Sequence, residues 1–162
     1  MKEKIKGKEE LKGILQDLKA KGKRVVFTNG CFDLLHAGHI RYLEQARALG
    51  DVLVVGLNTD RSVQRIKGPL RPILPEEVRA EILSGLWCVD FITLFDEPTP
   101  FTLIDLLRPD ILVKGGDYTK ETIVGREVVE ASGGKVIVLP LTEGWSTSAI
   151  IETILKRHEK KS

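Results

Sequence analysis

The sequence predicts one α/β domain, a parallel five-stranded sheet with helices on both faces. Three observations lead there. Five short runs rich in Val, Ile and Leu recur at 24–28, 51–57, 89–94, 110–114 and 135–139. They are apolar nearly throughout rather than alternating, the pattern of strands covered on both faces. A stretch with helical spacing separates each run from the next, as the crossovers of a parallel sheet require.

The elements follow in order. A leading helix of about residues 8–20 places Leu11, Ile14, Leu15 and Leu18 on one stripe. The first strand holds Val25, Val26 and Phe27 and stops at Asn29-Gly30. Ile40, Leu43, Ala46 and Leu49 then repeat at helical spacing, and a second strand covers 51–57. Residues 58–74 read as irregular, with Arg61, Arg65, Lys67 and Arg71 around Gly68-Pro69 and Pro72. Pro75 sits where a helix tolerates proline, ahead of Val78, Ile82, Leu83 and Leu86. Helices at 100–107 and 121–131 flank the fourth strand, and one at 146–157 closes the chain. With no internal repeat, low-complexity linker or domain boundary, residues 1–162 read as a single domain with its core at about 20–157.

Composition narrows the function classes. The chain is 42% hydrophobic and 30% charged over 162 residues, with a formal net charge of +2. That balance suits a folded domain and argues against nucleic acid as the main partner. Two cysteines, Cys31 and Cys88, are too few for a disulfide scaffold. The first residues are charged and lack the apolar centre of a signal peptide. No run approaches the ~20 apolar residues of a membrane span. The expectation is a cytoplasmic protein without membrane contact.

Three constellations carry chemistry. In the first, the strand ending at Asn29-Gly30 feeds a helix that begins around His36-Ala37-Gly38-His39. Unpaired N–H groups and the positive end of the helix dipole make that junction an anion site. Histidines three apart lie on nearly the same side, so both can donate to one phosphate. The competing explanations are a capping histidine and a zinc site through Cys31. Zinc wants four organised N/S ligands, and neither Cys31 nor Cys88 has a partner at zinc-ligand spacing, so no protein-bound metal is expected. Neither a GxxxxGK[ST] loop nor a GxGxxG follows the first strand. The second constellation, Ser146-Thr147-Ser148, opens the last helix. One hydroxyl serves as a cap, and the others can join a second anion site facing the same cleft. The third, Lys114-Gly115-Gly116-Asp117 at the end of the fourth strand, allows close backbone approach to a ligand and offers a cation and a hydroxyl acceptor. An ordinary polar turn is the alternative there. The four basic residues of 58–74 read either as a polyphosphate clamp or as a solvated loop.

Together these blocks resemble the HxGH nucleotidyltransferase superfamily, in its cytidylyltransferase-like branch. Residues 28–39 match its first motif, Arg79 within 75–90 its middle block, and Gly144-Trp145-Ser146-Thr147-Ser148 its closing motif. Residues 28–33, 67–73 and 112–118 are similar, more narrowly, to D-glycero-β-D-manno-heptose 1-phosphate adenylyltransferases. The resemblance implies a Rossmann-like HIGH-type nucleotidyltransferase fold. It implies transfer of AMP from ATP to the sugar 1-phosphate, giving ADP-heptose and pyrophosphate for lipopolysaccharide core or related glycans.

By the same resemblance the catalytic set is His36, His39, Lys67, Arg79, Ser146 and Thr147. Thr28, Asn29, Gly30, Cys31 and Phe32 would form the floor beneath the α-phosphate. Ala37, Gly38, Arg71, Asp117 and Ser148 complete the nucleotide side, and Asp33, Lys114, Gly115 and Gly116 the sugar-phosphate side. Mg²⁺ would be carried mainly by ATP. A homodimer and a separate sugar kinase upstream are further implications, since those relatives often carry a kinase half. In glycerol-3-phosphate cytidylyltransferases an arginine occupies the place of Leu141, which argues against CTP. A cytidylyltransferase or FAD-synthetase-like enzyme with another acceptor, and a non-catalytic nucleotide-sensing module, stay open as alternatives.

Overall fold

The computed structural model describes residues 2–116 and 118–159. Five parallel strands form one sheet: β1 (Val25–Gly30), β2 (Val52–Asn58), β3 (Phe91–Phe95), β4 (Ile111–Gly115) and β5 (Lys135–Leu139), in the order β3-β2-β1-β4-β5. Helices α1 (Lys8–Ala20), α2 (Ala37–Ala48), α3 (Asp60–Lys67), α4 (Glu76–Ser84), α5 (Phe101–Leu107), α6 (Arg126–Ala131) and α7 (Thr147–His158) connect or flank them. The parallel sheet and all five predicted strands are present, with bounds shifted by a residue or two.

Strand alternation divides the apolar residues between two cores. Val25 and Phe27 point to one face, where Leu11 and Leu15 of α1 and Leu103, Ile104 and Leu107 of α5 cover them. Val26 points to the other, with Leu43 and Ala46 of α2 and Ala80 and Leu83 of α4. All seven residues of β2 are buried, which explains the absence of alternation in its sequence. Each of these helices therefore buries one stripe and leaves the other in water.

Three aspartates fix strand register at the opposite end from the cleft. Asp51 accepts from the Arg24 N–H at 2.8 Å, Asp90 from Leu53 at 2.7 Å and Asp110 from Val25 at 2.8 Å. Each stands just ahead of one strand and takes an amide at the start of its neighbour, supplying a partner where the ladder begins.

Two expectations need correction. Residues 60–67 are helix α3, not loop: Thr59 caps it by accepting from the Ser62 N–H, and Gly68 ends it at φ 96°. The predicted helix over 121–131 is broken. A 3₁₀ turn at Lys120–Thr122 precedes α6, and Gly125 between them has φ 89°. A Cβ at Gly125 would meet Ile104 at 2.7 Å, so the chain turns rather than continuing the helix.

Candidate active site

The order β3-β2-β1-β4-β5 reverses direction between β1 and β4, and open α/β sheets bind ligands outside the carboxyl ends of strands at such a point. A cleft of about 660 Å³ lies there. Its floor begins on β1. Asn29 and Gly30 line it, and the chain then turns through Phe32, whose φ of 45° is left-handed. A bulky residue in that conformation is strained. Its ring is buried, tilted against His39 at 5.3 Å, and a Cβ at Gly30 would meet it at 2.9 Å. Glycine at position 30 therefore lets the ring fold back under the imidazole.

His36 is the N-cap of α2. Its Nδ1 accepts from the His39 N–H at 3.4 Å, which leaves Nε2 to carry the proton. The two imidazoles stack at 3.8 Å. Gly38 makes room, because a Cβ there would lie 3.0 Å from the His36 ring and 3.3 Å from Trp145. Burial lowers the His36 pKa; burial and the neighbouring His36 push that of His39 down to about 4. The Nδ1 of His39 is buried without a partner. Both rings are thus neutral donors before any anion arrives. The capping explanation and the phosphate explanation are compatible, since capping uses one nitrogen of His36 only.

The second helix start meets the first. Ser146 caps α7 by accepting from the Ala149 N–H at 3.0 Å, and Thr147 donates to the Leu34 carbonyl at 3.3 Å, tying α7 to the lead-in of α2. Trp145 stacks beside His36 at 6.2 Å. Two sets of first-turn N–H groups therefore open on one cleft. Ser148 lines it with Ser146 and Thr147, and Ala37 supplies backbone at the start of α2.

Of the basic residues in 58–74, Lys67 and Arg71 line the cleft. Arg61 and Arg65 instead pair with Asp96, at 3.9 Å and 3.0 Å. On β4, Lys114 donates to Asn29 Oδ1 at 3.4 Å and lies 5.4 Å over the Tyr118 ring; burial lowers its pKa. Burial raises that of the Cys31 thiol, which therefore stays protonated at neutral pH. Gly115 lines the cleft, and Gly116, at φ 96°, packs against Leu141.

Three assignments are corrected. Arg79 is 1% exposed and lies behind the cleft wall. Its guanidinium donates to the Leu74, Cys31 and Asn58 carbonyls and pairs with Asp60 at 2.8 Å. It holds three chain segments, around residues 31, 58–60 and 74, in place rather than meeting a ligand. Asp33 is 2% exposed and accepts from the Ile73 and Leu74 amides and from Arg71 at 2.7 Å. Burial opposes its charge, yet these donors hold its pKa below the usual value. Its carboxylate anchors the basic loop and has no free edge for a sugar. Thr28 is fully buried, one layer beneath the floor. Asp117 lies outside the described residues. Among the described residues no three His, Cys, Asp or Glu side chains gather as a metal site.

Sequence reasoning missed Tyr42 and the wall formed by Phe95, Pro98, Thr99, Ile123 and Val124, and gave Trp145 a place in the closing motif but no role in the site. The carboxyl-end rule points to the loop after β3 as it does to that after β4, and the proline after Phe95-Asp-Glu was the available signal.

A cytidylyltransferase-like family model matches residues 27–153, from the middle of β1 into α7. The chain belongs to the cytidylyltransferase-like family. As a member it is a nucleotidyltransferase, and both helix starts fall inside the matched span. It is 57% identical over 157 residues to the bifunctional protein HldE of Syntrophotalea carbinolica, covering 97% of this chain and 32% of that protein. HldE of Geobacter sulfurreducens is 56% identical over 155 residues, at 96% and 32%. The chain thus spans about a third of these relatives. A solved lipopolysaccharide core biosynthesis protein from Thermoplasma volcanium is 32% identical with TM-score 0.59, covering 75% of this chain and 98% of that one. Pantoate-β-alanine ligase from Francisella tularensis, at 16% identity and TM-score 0.60, covers 86% of this chain and 67% of its own and shares the fold alone. Among the described residues no helix is long and apolar enough to cross a membrane.

Proposed function

We propose that the chain transfers the AMP moiety of ATP to D-glycero-β-D-manno-heptose 1-phosphate, releasing pyrophosphate and forming ADP-heptose. The observation that supports this most is the pair of helix starts, with two stacked neutral imidazoles, opening on one cleft at the β1/β4 reversal. A triphosphate fits such a place because it is held by N–H donors and cations along its length.

In this reading a phosphate oxygen of the sugar attacks the α-phosphorus in line. The new P–O bond forms as the bond to the β-phosphate oxygen breaks, and the electron pair leaves with pyrophosphate. The attacking oxygen is already ionised, so no base is needed and catalysis is alignment and charge stabilisation. His36 and His39 donate to oxygens between the α- and β-phosphates, where charge grows. The first turn of α7 with Ser146 and Thr147 holds the β- and γ-phosphates, and Lys67, Arg71 and Lys114 balance the remaining charge. Asp117 meets a ribose or sugar hydroxyl. Mg²⁺ neutralises charge on the triphosphate when bound. Asp33, the one acidic side chain among the described residues of the cleft wall, is engaged by amides and Arg71, so phosphate and water ligands suit the ion.

The similarity to HldE supports the heptose acceptor, and Leu141 on the cleft wall in place of an arginine supports ATP over CTP. A reaction fed by ATP belongs in the cytoplasm, with a sugar kinase activity supplying the 1-phosphate. Pyrophosphate release is measured with ATP, CTP and GTP against heptose 1-phosphate and other phosphorylated acceptors. The expected result is turnover with ATP and the heptose. Preference for CTP with glycerol 3-phosphate overturns it, as does ATP binding without turnover on any acceptor.

A further inference from the structure

The ladder between β1 and β4 stops short. Its register pairs Val26 with Ile111 and Phe27 with Leu112, while β1 continues to Gly30 and β4 to Gly115. On their outer sides both strands remain paired to the end, Gly30 with Leu57 and Gly115 with Leu139. The sheet therefore opens along one seam, between residues 28–30 and 113–115, and the cleft stands over it. Backbone groups along such a seam need partners that the neighbouring strand does not supply.

Tyr42 reaches both lips. Its hydroxyl donates to the Val113 carbonyl at 3.3 Å and sits 2.7 Å from Thr28 Oγ1, which then donates to it. Its ring lies against Gly115, where a Cβ would come 3.1 Å from Cε2. Tyr42 stands three residues after His39 on α2, so the helix that carries the imidazoles is pinned to β1 and β4 together. Just above, Lys114 and Asn29 meet across the same opening at 3.4 Å.

We propose that Tyr42 is a positioning residue: its hydroxyl bridges Thr28 and Val113, sets the width of the seam, and so fixes the imidazoles of α2 against the Asn29–Lys114 floor. Its catalytic consequence rests on the nucleotidyltransferase reading of the cleft. Phenylalanine at 42 keeps the ring in its place and removes only the bridge, and Thr28→Val removes the bridge from its other end.

The test compares Tyr42→Phe, Thr28→Val and the double variant by steady-state pyrophosphate release and by amide hydrogen exchange. Misplacing reacting groups by an ångström costs up to about a hundredfold in rate. Tyr42→Phe is expected to lower kcat by about ten- to a hundredfold, with KM for ATP changing less than about threefold. The double variant is expected to be no worse than Tyr42→Phe, since one hydroxyl chain cannot be broken twice. Exchange is expected to quicken at 28–30 and 113–116 and nowhere else in the sheet. A kcat within about twofold of wild type overturns the proposal, even with a lowered Tm, and so do losses that multiply in the double variant. If wild-type protein releases no pyrophosphate with any acceptor, the functional reading falls, and exchange decides the bridge by itself. Faster exchange confined to the seam upholds it, and unchanged exchange overturns it.

Discussion

His39 shows at the scale of one residue how a site is prepared before its ligand arrives. Its imidazole is neutral because burial and the stacked His36 hold its pKa near 4, and neutral rings can stack where two cations would repel. The proton belongs on Nε2, since Nδ1 is buried without a partner. His39→Ala should lower kcat by a factor of ~10²–10³ and raise KM for ATP far less, as removal of a donor to developing charge does; steady-state kinetics check this. The same depressed pKa has a consequence for folding. The unfolded chain takes up a proton below its ordinary value of 6.5, whereas the folded one does so only near 4. The unfolded state binds more protons inside that window, so stability falls as pH drops through it. Tm measured from pH 7 to pH 4 should decline, and His39→Gln should flatten the slope over that interval. The contribution of Asp33, with its pKa below 3.8, is lost only further down. A slope unchanged in His39→Gln removes the histidine as its cause.

Among the elements, the start of α2 separates stability from activity most clearly. Alanine is the better helix former than glycine by up to about 1 kcal/mol in a helix interior, which offsets the crowding at this first-turn position, so Gly38→Ala should shift Tm only slightly. Its new Cβ, 3.0 Å from the His36 ring, should nevertheless displace the stacked pair and cut turnover. Thermal melts with kinetics on the same sample check both. The anchor of the basic loop gives a second case. Asp33→Ala strands two amides and Arg71, and charge-assisted hydrogen bonds of this kind are worth about 1.5–3 kcal/mol each. Urea unfolding should report a loss of that order or more, together with weaker ATP binding, because Arg71 loses its hold. Sequence made some of these elements readable and hid others for physical reasons. Continuous apolar strands are legible because both faces are covered, and the two helix starts because capping chemistry is local. Helix α3 was hidden by its polarity: Val63 is its one buried apolar residue, and Arg61 and Arg65 face Asp96. Arg79 and Asp33 looked like ligand contacts because a motif marks which residues matter and not whether they point at the ligand or at the backbone that holds the site. Tyr42 left no trace, since its meaning depends on a strand some seventy residues away in sequence.

At the scale of the whole molecule, β1 comes early in the chain yet ends in the centre of the sheet, and its two neighbours reach it on different terms. The bond from Arg24 to Asp51 closes 27 residues, whereas that from Val25 to Asp110 closes 85. Closing the longer loop costs more entropy and must wait for more chain. The shorter closure predicts that the β1-α2-β2 unit forms the folding nucleus and that β4 docks after the rate-limiting barrier. Leu43→Ala, a buried change in α2, should slow refolding, while Val113→Ala in β4 should leave refolding nearly untouched and speed unfolding. Stopped-flow chevrons distinguish these, and equal slowing by both would mean that β4 belongs to the nucleus. The consequence reaches the catalytic cleft itself. Because the cleft lies between β1 and β4 and is closed over by the start of α7, which Thr147 ties to Leu34 across 113 residues, it is assembled from distant parts of the chain, so a bound triphosphate should act as a clamp across them and lengthen the lifetime of the folded state.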